Sequence, residues 1–523
     1  MADRTGDPPR PEGTPDEVVI TWEARRPVTD PTLGIPVAVE DHEPCAHRLV
    51  TIGDSITAGF QSGAIYNTGL SWPALVAREL GFTEFRFPTY DGYGGLPLNL
   101  EFLLRQLEWQ FGEIGWLDSL PALAWVNHYL NKVEQWWEVD ADQTYRPAPG
   151  LTHNLAVHGF KLADASTRTL AAVEEAILKR RDHWRLPLPE RDVDRAARRV
   201  LANAGLDMAV LDVAGVLGDE GDPGIEVLVV ALGANHALGS VVQLRNRWTD
   251  DHYPDDPGGG YTVWAPTHFA AESAEVTRRV EEIMARHVVL ATVPHVTIAP
   301  IARGVAIRDR GASRYYPYYT KPWISDADFD PDHDPQLTGD EVRAIDSAID
   351  HYNHLITETV RRARNAGRDW YLFDLCGLLD RLAFKRYLMH PEAKPSWWDD
   401  VGGAYPLPDS LTRLDPPPDT RFLQSDAGGR SAGGLFSLDG VHPTTVGYGI
   451  VAQELIRILE VAGVPFFEAD GRTVRPFPVQ LDFASLLSAD TLLRDPPRSL
   501  SHTLRVLGWL DEKADAFQSL LGR

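Results

Sequence analysis

The chain has 523 residues, of which 43% are hydrophobic and 24% are charged. This composition is typical of a folded globular protein and excludes a chain that is disordered throughout. The net charge of -25 argues against nucleic acid or an anionic membrane surface as a partner, because proteins that bind these normally present a basic face. The length exceeds what one hydrophobic core usually serves, so we expect large insertions or an appended segment.

The first 45 residues are rich in proline, glycine and charge, and they lack the apolar stretch of a secretory signal peptide. We therefore predict a disordered or extended leader over 1–45 and a cytoplasmic location. Cys45 and Cys376 are the only cysteines, too few for a disulfide framework, which fits a reducing compartment. No run of about eighteen apolar residues occurs, so the sequence predicts no transmembrane segment.

The stretch 48–60 reads RLVTIGDSITAGF and predicts a strand followed by a sharp turn. Residues 49–52 favour a strand, and Gly53 permits the turn that would hold Ser55 at the strand's C-terminal end. Ligands of open α/β sheets bind at that end. Ser55 is therefore a candidate nucleophile, but a serine hydroxyl reacts only when a neighbouring base takes its proton. The prediction requires a histidine elsewhere in the chain.

Residues 82–148 do not fit the compact βα pattern around them. Leucines recur at helical spacing from Leu100 to Leu107, and several tryptophans and tyrosines follow. We predict a helical aromatic insertion here. Two interpretations stay open: its large side chains dock it on the domain, or they form a lid over an apolar substrate.

Further apolar runs predict strands over 154–157, 226–232, 288–293 and 370–375. Amphipathic helices are predicted over 267–287, 342–364 and 445–459. Strands that alternate with helices favour right-handed crossovers and a parallel sheet. We predict an α/β protein with a three-layer, flavodoxin-like parallel sheet of about five strands, and a catalytic domain over 46–462.

Two long segments, 309–337 and 378–436, are predicted as loops over the active edge, and 463–523 as a helical C-terminal appendage. The alternating acids of 326–334 are similar to a calcium loop, but Pro331 stands where an EF-hand requires glycine. We therefore expect a solvated acidic loop and no metal site. The sequence contains no Walker A, Cys-x-x-Cys or His-Glu-x-x-His motif, so we predict no cofactor.

The motif DGVHP at 439–443 supplies the histidine that the serine needs. His442 can take the proton of Ser55 as general base and later return it to the leaving group. Asp439, three residues earlier on the same turn, can reach the other ring nitrogen and stabilise the imidazolium. These three residues are the predicted catalytic triad.

Four short motifs stand in order along the chain: GDSITAG at 53–59, NLAVHG at 154–159, GANH at 233–236 and DGVHP at 439–443. They resemble the four sequence blocks of the GDSL-type, or SGNH, serine hydrolases. Four blocks in the right order are much more specific than any one of them.

The resemblance implies that Ser55 and His442 are catalytic. It also implies an oxyanion hole formed by the backbone N–H groups of Ser55 and Gly159 and by the side-chain amide of Asn235. The chain departs from the family pattern where His236 replaces the usual aspartate after the asparagine. His158, before the glycine, is also unusual, and both histidines are predicted as possible pocket residues.

The expected activity is hydrolysis of a carboxylic ester through an acyl-enzyme, by a lipase-like or general esterase acting on a small-molecule or lipid-like ester. The same machinery serves acyltransferases and carbohydrate O-deacetylases, which therefore stay as alternatives. A non-catalytic binding protein on the same fold is a more remote alternative, because neither Ser55 nor His442 is lost.

Overall fold

The computed structural model describes residues 6–38, 43–112, 120–179, 188–253, 258–306, 313–426, 428–498 and 508. Its centre is a parallel sheet of four strands: β1 (Val50–Gly53), β2 (Ile225–Ala231), β3 (Ala285–Ala291) and β4 (Trp370–Phe373). The strands lie in the order β1-β2-β3-β4, and every neighbouring pair is parallel. The chain is therefore an α/β protein, and the predicted strands at these four places are confirmed with small shifts of their ends.

The α-helices are α1 (Ser55–Ala58), α2 (Trp72–Glu79), α3 (Leu100–Phe111), α4 (Leu120–Gln135), α5 (Ala141–Thr144), α6 (Asp164–Thr167), α7 (Leu170–Leu178), α8 (Asp192–Val200), α9 (Val210–Asp219), α10 (Leu238–Gln243), α11 (Pro266–Glu282), α12 (Gly339–Asn365), α13 (Leu375–Leu382), α14 (Asp409–Thr412), α15 (Thr445–Val461), α16 (Phe483–Ala489) and α17 (Thr491–Arg494). Short strands outside the main sheet are Phe60–Gln61, Ala64–Ile65, Leu96–Pro97, Arg303–Val305, Tyr318–Thr320, Leu337–Thr338, Gln424–Asp426 and Gly429–Ala432. The helix predicted over 267–287 ends earlier in the structure, at Glu282, because residues from Ala285 onward belong to β3.

Residues 153–157 run beside β1 without forming a regular strand. The backbone N–H of Thr51 donates to the His153 carbonyl at 2.9 Å, and Leu155 N–H donates back to the Thr51 carbonyl at 2.7 Å. A third bond joins Val157 N–H to the Gly53 carbonyl at 3.1 Å. The fifth strand expected at 154–157 is thus an edge segment that brings residues 158–160 to the end of β1.

Helices cover both faces of the sheet. Successive residues of β2 point to opposite sides, as expected from the period of two in a strand: Leu228 and Val230 join one buried cluster, and Val227 and Val229 join the other. Helices α9, α11 and α12 pack on the first face, and α2, α13, α15 and α16 on the second. Each strand is therefore buried on both sides.

The aromatic insertion packs on the first face of the sheet. Leu103, Tyr129 and Trp137 belong to the same buried cluster as the strand residues. The Trp137 indole N–H donates to the Gly95 carbonyl at 2.9 Å, which satisfies its one polar group. Within the described part of the insertion, these side chains serve as packing contacts that dock the excursion on the domain.

The N-terminal segment 6–38 is irregular but is packed against the domain. Val18 is buried in the main core. The Leu372 N–H of β4 donates to the Pro31 carbonyl at 2.9 Å, and Arg25 forms a salt bridge with Asp374 at 2.9 Å. The described part of the predicted leader therefore packs against the free edge of β4.

The first part of the predicted appendage is built into the second face of the sheet. Phe466, Phe483 and Leu486 share one buried cluster with α15. The remainder, from 499 onward, lies outside the described residues except for Gly508. Among the described residues no helix has both the length and the apolar character needed to cross a bilayer. Cys45 and Cys376 are buried free thiols.

Asp490 links this C-terminal segment to α15. Its carboxylate accepts hydrogen bonds from Val446 N–H at 2.9 Å and Leu493 N–H at 3.1 Å. Burial raises the pKa of Asp490 from 3.8 to about 7. Between these two pH values the folded protein holds a proton that the unfolded chain has released, so this group makes folding less favourable as pH rises through the window.

We expect this group to lower the free energy of unfolding by at most about 4 kcal/mol as pH rises from about 4 to about 7. Asp490→Asn cannot ionise, so its urea unfolding curves should lose that part of the pH dependence. Asp482→Asn is the matched control, because Asp482 caps the neighbouring helix α16 with an exposed carboxylate whose pKa is lowered. Equal pH dependence in the wild type and Asp490→Asn would contradict the assignment.

Candidate active site

Ser55 lies where β1 ends and begins the one-turn helix α1. Asp54 caps this helix by accepting a hydrogen bond from Ile56 N–H at 3.2 Å. Gly59 ends it with a φ of 85°, a left-handed conformation that favours glycine. Burial raises the pKa of the Asp54 carboxyl to about 6. The short helix fixes the serine at the C-terminal edge of the sheet, where the sequence predicted it from the turn at Gly53.

Ser55 and His442 are 387 residues apart in sequence, yet Ser55 Oγ lies 2.8 Å from His442 Nε2. On the other side of the ring, His442 Nδ1 lies 3.0 Å from Asp439 Oδ2. Both distances suit hydrogen bonds. The structure thus brings together the three residues that the sequence predicted as a triad, with His442 between Ser55 and Asp439.

The Asp439 carboxylate is held by the backbone as well as by the histidine. Its Oδ1 accepts from the N–H groups of Val441 and His442, both at 2.8 Å, and its Oδ2 also accepts from Gly63 N–H at 2.9 Å. Burial alone would raise the pKa of Asp439, but the His442 charge and these hydrogen bonds outweigh it and lower the pKa below 3.8. The group therefore stays ionised at neutral pH.

The second and third motifs meet beside the end of β1. The Asn235 amide nitrogen Nδ2 donates to the Phe160 carbonyl at 2.8 Å, next to Gly159. Gly159 has a φ of 77°, which explains the need for glycine there. Asn154 joins this motif to the first, because its amide donates to the Thr57 carbonyl at 3.2 Å. The bond made by Asn235 uses one of its two amide hydrogens.

The two predicted pocket histidines are both buried and bonded to carboxylates. His158 Nε2 lies 3.0 Å from Asp192 Oδ2, and His236 Nε2 lies 3.1 Å from Glu272 Oε2. Neither lines the pocket that adjoins Ser55. The His158 ring packs on Phe60, whose other neighbour is His442, with ring centroids 5.2 and 4.5 Å apart respectively. His236 stabilises a loop through Glu272.

The pocket that adjoins Ser55 and His442 spans about 600 Å³ of empty space, part of which is open solvent, and its walls are mainly apolar. Its walls come from the loop after β3, from α13, from α15 and from the residues around His442. Representative lining residues are Val296, Ile298, Leu375, Leu379, Phe436 and Val451. The sequence motifs did not indicate these residues. Only the position of residues 294–299 directly after a predicted strand pointed to this edge.

His295 is a polar exception in this apolar wall. Its Nδ1 lies 2.9 Å from Asp380 Oδ1 and its Nε2 lies 3.1 Å from Asp350 Oδ1. Burial alone would lower the pKa of His295, but these carboxylates, Asp380 foremost, raise it well above 6.5. His295 is therefore held as an imidazolium between two acids.

His295, Cys376 and Asp380 form the one group of ligand-type side chains close enough to hold a metal ion within the described part of the chain. Arg386 Nη1 lies 3.3 Å from both His295 Nδ1 and Asp380 Oδ1. A guanidinium at that place already supplies the positive charge that the carboxylate needs and would repel a cation. The cluster fits a buried ion-pair network better than a metal site.

No protein-family model matches this chain, and a search of curated proteins also finds no match.

Proposed function

We propose that the protein is a serine hydrolase that cleaves carboxylic esters through an acyl-enzyme intermediate, as the GDSL-type hydrolases do. The observation that carries the proposal is the continuous chain of hydrogen bonds from Ser55 through His442 to Asp439. All three side chains are buried at the C-terminal edge of a parallel sheet, which is where α/β enzymes bind their substrates.

In the proposed reaction, His442 Nε2 takes the proton of Ser55 while Oγ attacks the ester carbonyl carbon. The tetrahedral intermediate collapses, the carbon–oxygen bond to the alcohol breaks, and the imidazolium donates its proton to the leaving alcohol. A water molecule, deprotonated by the same ring, then cleaves the acyl-enzyme and releases the acid. Asp439 remains ionised throughout and stabilises the imidazolium.

We assign the oxyanion hole to the backbone N–H groups of Ser55 and Gly159 and to the Asn235 amide. The support is the convergence of the loops that carry them: Asn235 is bonded to Phe160, and Val157 is bonded to Gly53 at the end of β1. One amide hydrogen of Asn235 is then left for the oxyanion. A donor of this kind commonly contributes about 3 kcal/mol to the stability of the transition state.

The arrangement of the sheet also supports the proposal. When the edge segment 153–157 is counted as the second strand in sequence, the order becomes 2-1-3-4-5. This is the order of flavodoxin-like folds, and we propose that the domain is a three-layer fold of this type. A fold of this type serves many reactions, so the argument for hydrolysis depends on the triad.

The proposed substrate is a small or lipid-like ester whose acyl group enters the apolar pocket at Ser55. The walls of this pocket suit a hydrocarbon chain better than the hydroxyl groups of a sugar ester. None of the described residues of the insertion 82–148 lines this pocket, so the described part gives the lid interpretation no support. We retain a cytoplasmic location as part of this proposal.

The test is covalent labelling of the folded protein with a fluorophosphonate, followed by hydrolysis assays on nitrophenyl esters from acetyl to palmitoyl. We expect one probe per chain, attached to the peptide that contains Ser55, and loss of hydrolysis in proportion to labelling. Unfolded protein is the control and should not react. Labelling at another residue, or full ester hydrolysis after Ser55 is blocked, would overturn the proposal.

A further inference from the structure

Asp54 is a buried carboxylic acid beside the proposed nucleophile, and the triad does not use it. It stands between β1 and α1, directly before Ser55, and is only 3% exposed. Burial makes a carboxyl group harder to ionise. It raises the pKa of Asp54 from 3.8 to about 6, although the Ile56 N–H, the His442 charge and the Ala234 N–H favour the charged form. Asp54 therefore changes its charge just below neutral pH.

The Asp54 carboxylate contacts three parts of the candidate site. It accepts a hydrogen bond from Ile56 N–H at 3.2 Å and so caps α1, the helix that begins with Ser55. It also accepts a hydrogen bond from the N–H of Ala234, the residue before Asn235. The charge of His442 acts on it as well. A change in the charge of Asp54 is therefore transmitted to the groups around the serine.

Two carboxylates thus act on His442, and their environments differ. Asp439 accepts hydrogen bonds from three backbone N–H groups, and its pKa is lowered below 3.8 by the His442 charge and these bonds, against the effect of burial. Asp54 has the opposite shift, because burial outweighs its bonds. Environments that separate the pKa values of two neighbouring acids commonly give them different tasks. Asp439 is ionised at every working pH, whereas Asp54 responds to pH.

A buried acid can respond to pH only if it exchanges protons with solvent. Asp54 lines a second cavity, which spans about 350 Å³ of empty space, part of which is open solvent. This cavity adjoins the pocket at Ser55, because five residues line both: Ile56, Ala234, Pro294, Leu375 and Val451. The Asp54 carboxyl therefore has a route for proton exchange on the substrate side of the sheet.

Tyr448 on α15 is a further titratable neighbour of Asp54. Burial and the nearby carboxylates of Asp439 and Asp54 raise the pKa of Tyr448 well above 10. Its hydroxyl donates to the Phe60 carbonyl at 2.5 Å. Tyr448 therefore stays neutral and Asp439 stays ionised between about pH 4.5 and pH 8.5. Of His442, Tyr448 and Asp439, only His442 gains a charge in the proposed reaction.

We propose that ionised Asp54 assists His442, because its negative charge stabilises the imidazolium that forms when Ser55 gives up its proton. Asp54 acts through the histidine and is therefore a positioning residue. This inference rests on the proposed function, since the imidazolium forms only if His442 serves as the base. Protonation of Asp54 removes the charge, so acid should slow the reaction through Asp54 in addition to its effect on His442.

The test compares the wild type with Asp54→Asn over a range of pH. We expect the ratio of their kcat/KM values for nitrophenyl acetate to be about tenfold at pH 8, in favour of the wild type. The ratio should fall through the region of pH 6 and be less than about twofold at pH 4.5. The reason is that protonated Asp54 is neutral, as asparagine is, so the two proteins become equivalent in acid.

Asp482→Asn is the matched control. Asp482 caps α16 by accepting from Ala484 N–H at 3.0 Å, but it is exposed and lies outside the candidate site. The ratio of wild type to this variant should be about one at every pH. If Asp54 served only as a helix cap, its replacement by asparagine, another good cap, would change the rate by the same factor at pH 8 and pH 4.5. A constant ratio of that kind would overturn the proposal.

Circular dichroism establishes first that Asp54→Asn is folded at both ends of the pH range. If it is not, Asp54→Ser takes its place with the same expectation, because a serine hydroxyl can cap α1 without a charge. A folded variant that reacts at the wild-type rate at pH 8 would also overturn the proposal.

The rate of fluorophosphonate labelling at Ser55 separates this inference from the proposed function. Labelling needs the same proton transfer to His442 but no ester, so its ratio should show the same pH dependence. If the wild type is labelled at Ser55 but hydrolyses no ester, the ester substrate is wrong, and the labelling ratio then decides the role of Asp54. A wild type that is not labelled would overturn both proposals.

Discussion

Replacing Ser55 with alanine is expected to lower kcat/KM for ester hydrolysis by about 10⁴-fold or more. The physical reason is that the proposed acyl-enzyme can no longer form, so only direct attack by water, assisted by the proposed oxyanion hole, remains. The Ser55 side chain is small and makes one side-chain hydrogen bond, to His442. The substitution should therefore leave the fold and the free energy of unfolding nearly unchanged. The measurement is steady-state hydrolysis of nitrophenyl acetate.

Ser488→Ala is the matched control for Ser55→Ala. Ser488 lies on α16, and its hydroxyl donates to the Ala484 carbonyl within the same helix at 3.0 Å. The same chemical change at that place should leave hydrolysis at the wild-type rate. If folded Ser55→Ala retains a large part of the wild-type activity, the nucleophile has been assigned wrongly.

Replacing Asp439 with asparagine should lower kcat by about 10³–10⁴-fold while KM changes little. The carboxylate holds His442 Nδ1 at 3.0 Å and also accepts from the backbone N–H of Gly63 at 2.9 Å. An asparagine amide would present an N–H group at one of these positions and would favour the wrong tautomer of the ring. Loss of the negative charge also removes the stabilisation of the imidazolium that forms in the proposed reaction.

Asp409→Asn serves as the control for this variant, because Asp409 is an exposed residue whose ion-pair distance to Arg413 is 3.8 Å. It should behave as the wild type does in both stability and kinetics. Because Asp439 is buried, circular dichroism has to establish first that Asp439→Asn is folded. If KM rises by the same factor by which kcat falls, Asp439 does not act by orienting the base. A folded variant with wild-type kcat would lead to the same conclusion.

The sequence was sufficient to predict the residues of the candidate site because each of them lies in a short local pattern. Residues 49–52 favour a strand, and Gly53 permits the turn after it, which placed Ser55 at the edge of the sheet. Asp439 and His442 lie three residues apart on one turn, so their contact is set by local geometry. The spacing by itself could not give the contact of His442 with Ser55, which required the whole sheet to assemble.

Sequence patterns could not predict which residues form the walls of the pocket at Ser55. Val296, Leu379 and Phe436 meet in space from distant parts of the chain, and their residue types are those of any apolar core. Local patterns carry no information on which distant residues share a cavity.

The sequence also could not decide what the large side chains of the aromatic insertion contact. Large side chains at helical spacing are compatible with docking on a core or with covering a substrate, because both bury apolar area. Trp137 is buried with its N–H bonded to Gly95, and this contact was not visible in the sequence. The N-terminal segment is a similar case, because its proline-rich composition gave no sign that Pro31 would bond to the edge of β4.

The sequence by itself determined the α/β class and the positions of the main strands, and it predicted the three residues of the proposed triad, since these predictions depend on local periodicity and on turn residues a few positions apart. The tertiary structure alone decided which surfaces enclose Ser55 and that His158 and His236 are bonded to carboxylates. These features depend on contacts between residues distant in sequence, and such contacts are fixed only when the core packs around both faces of the sheet.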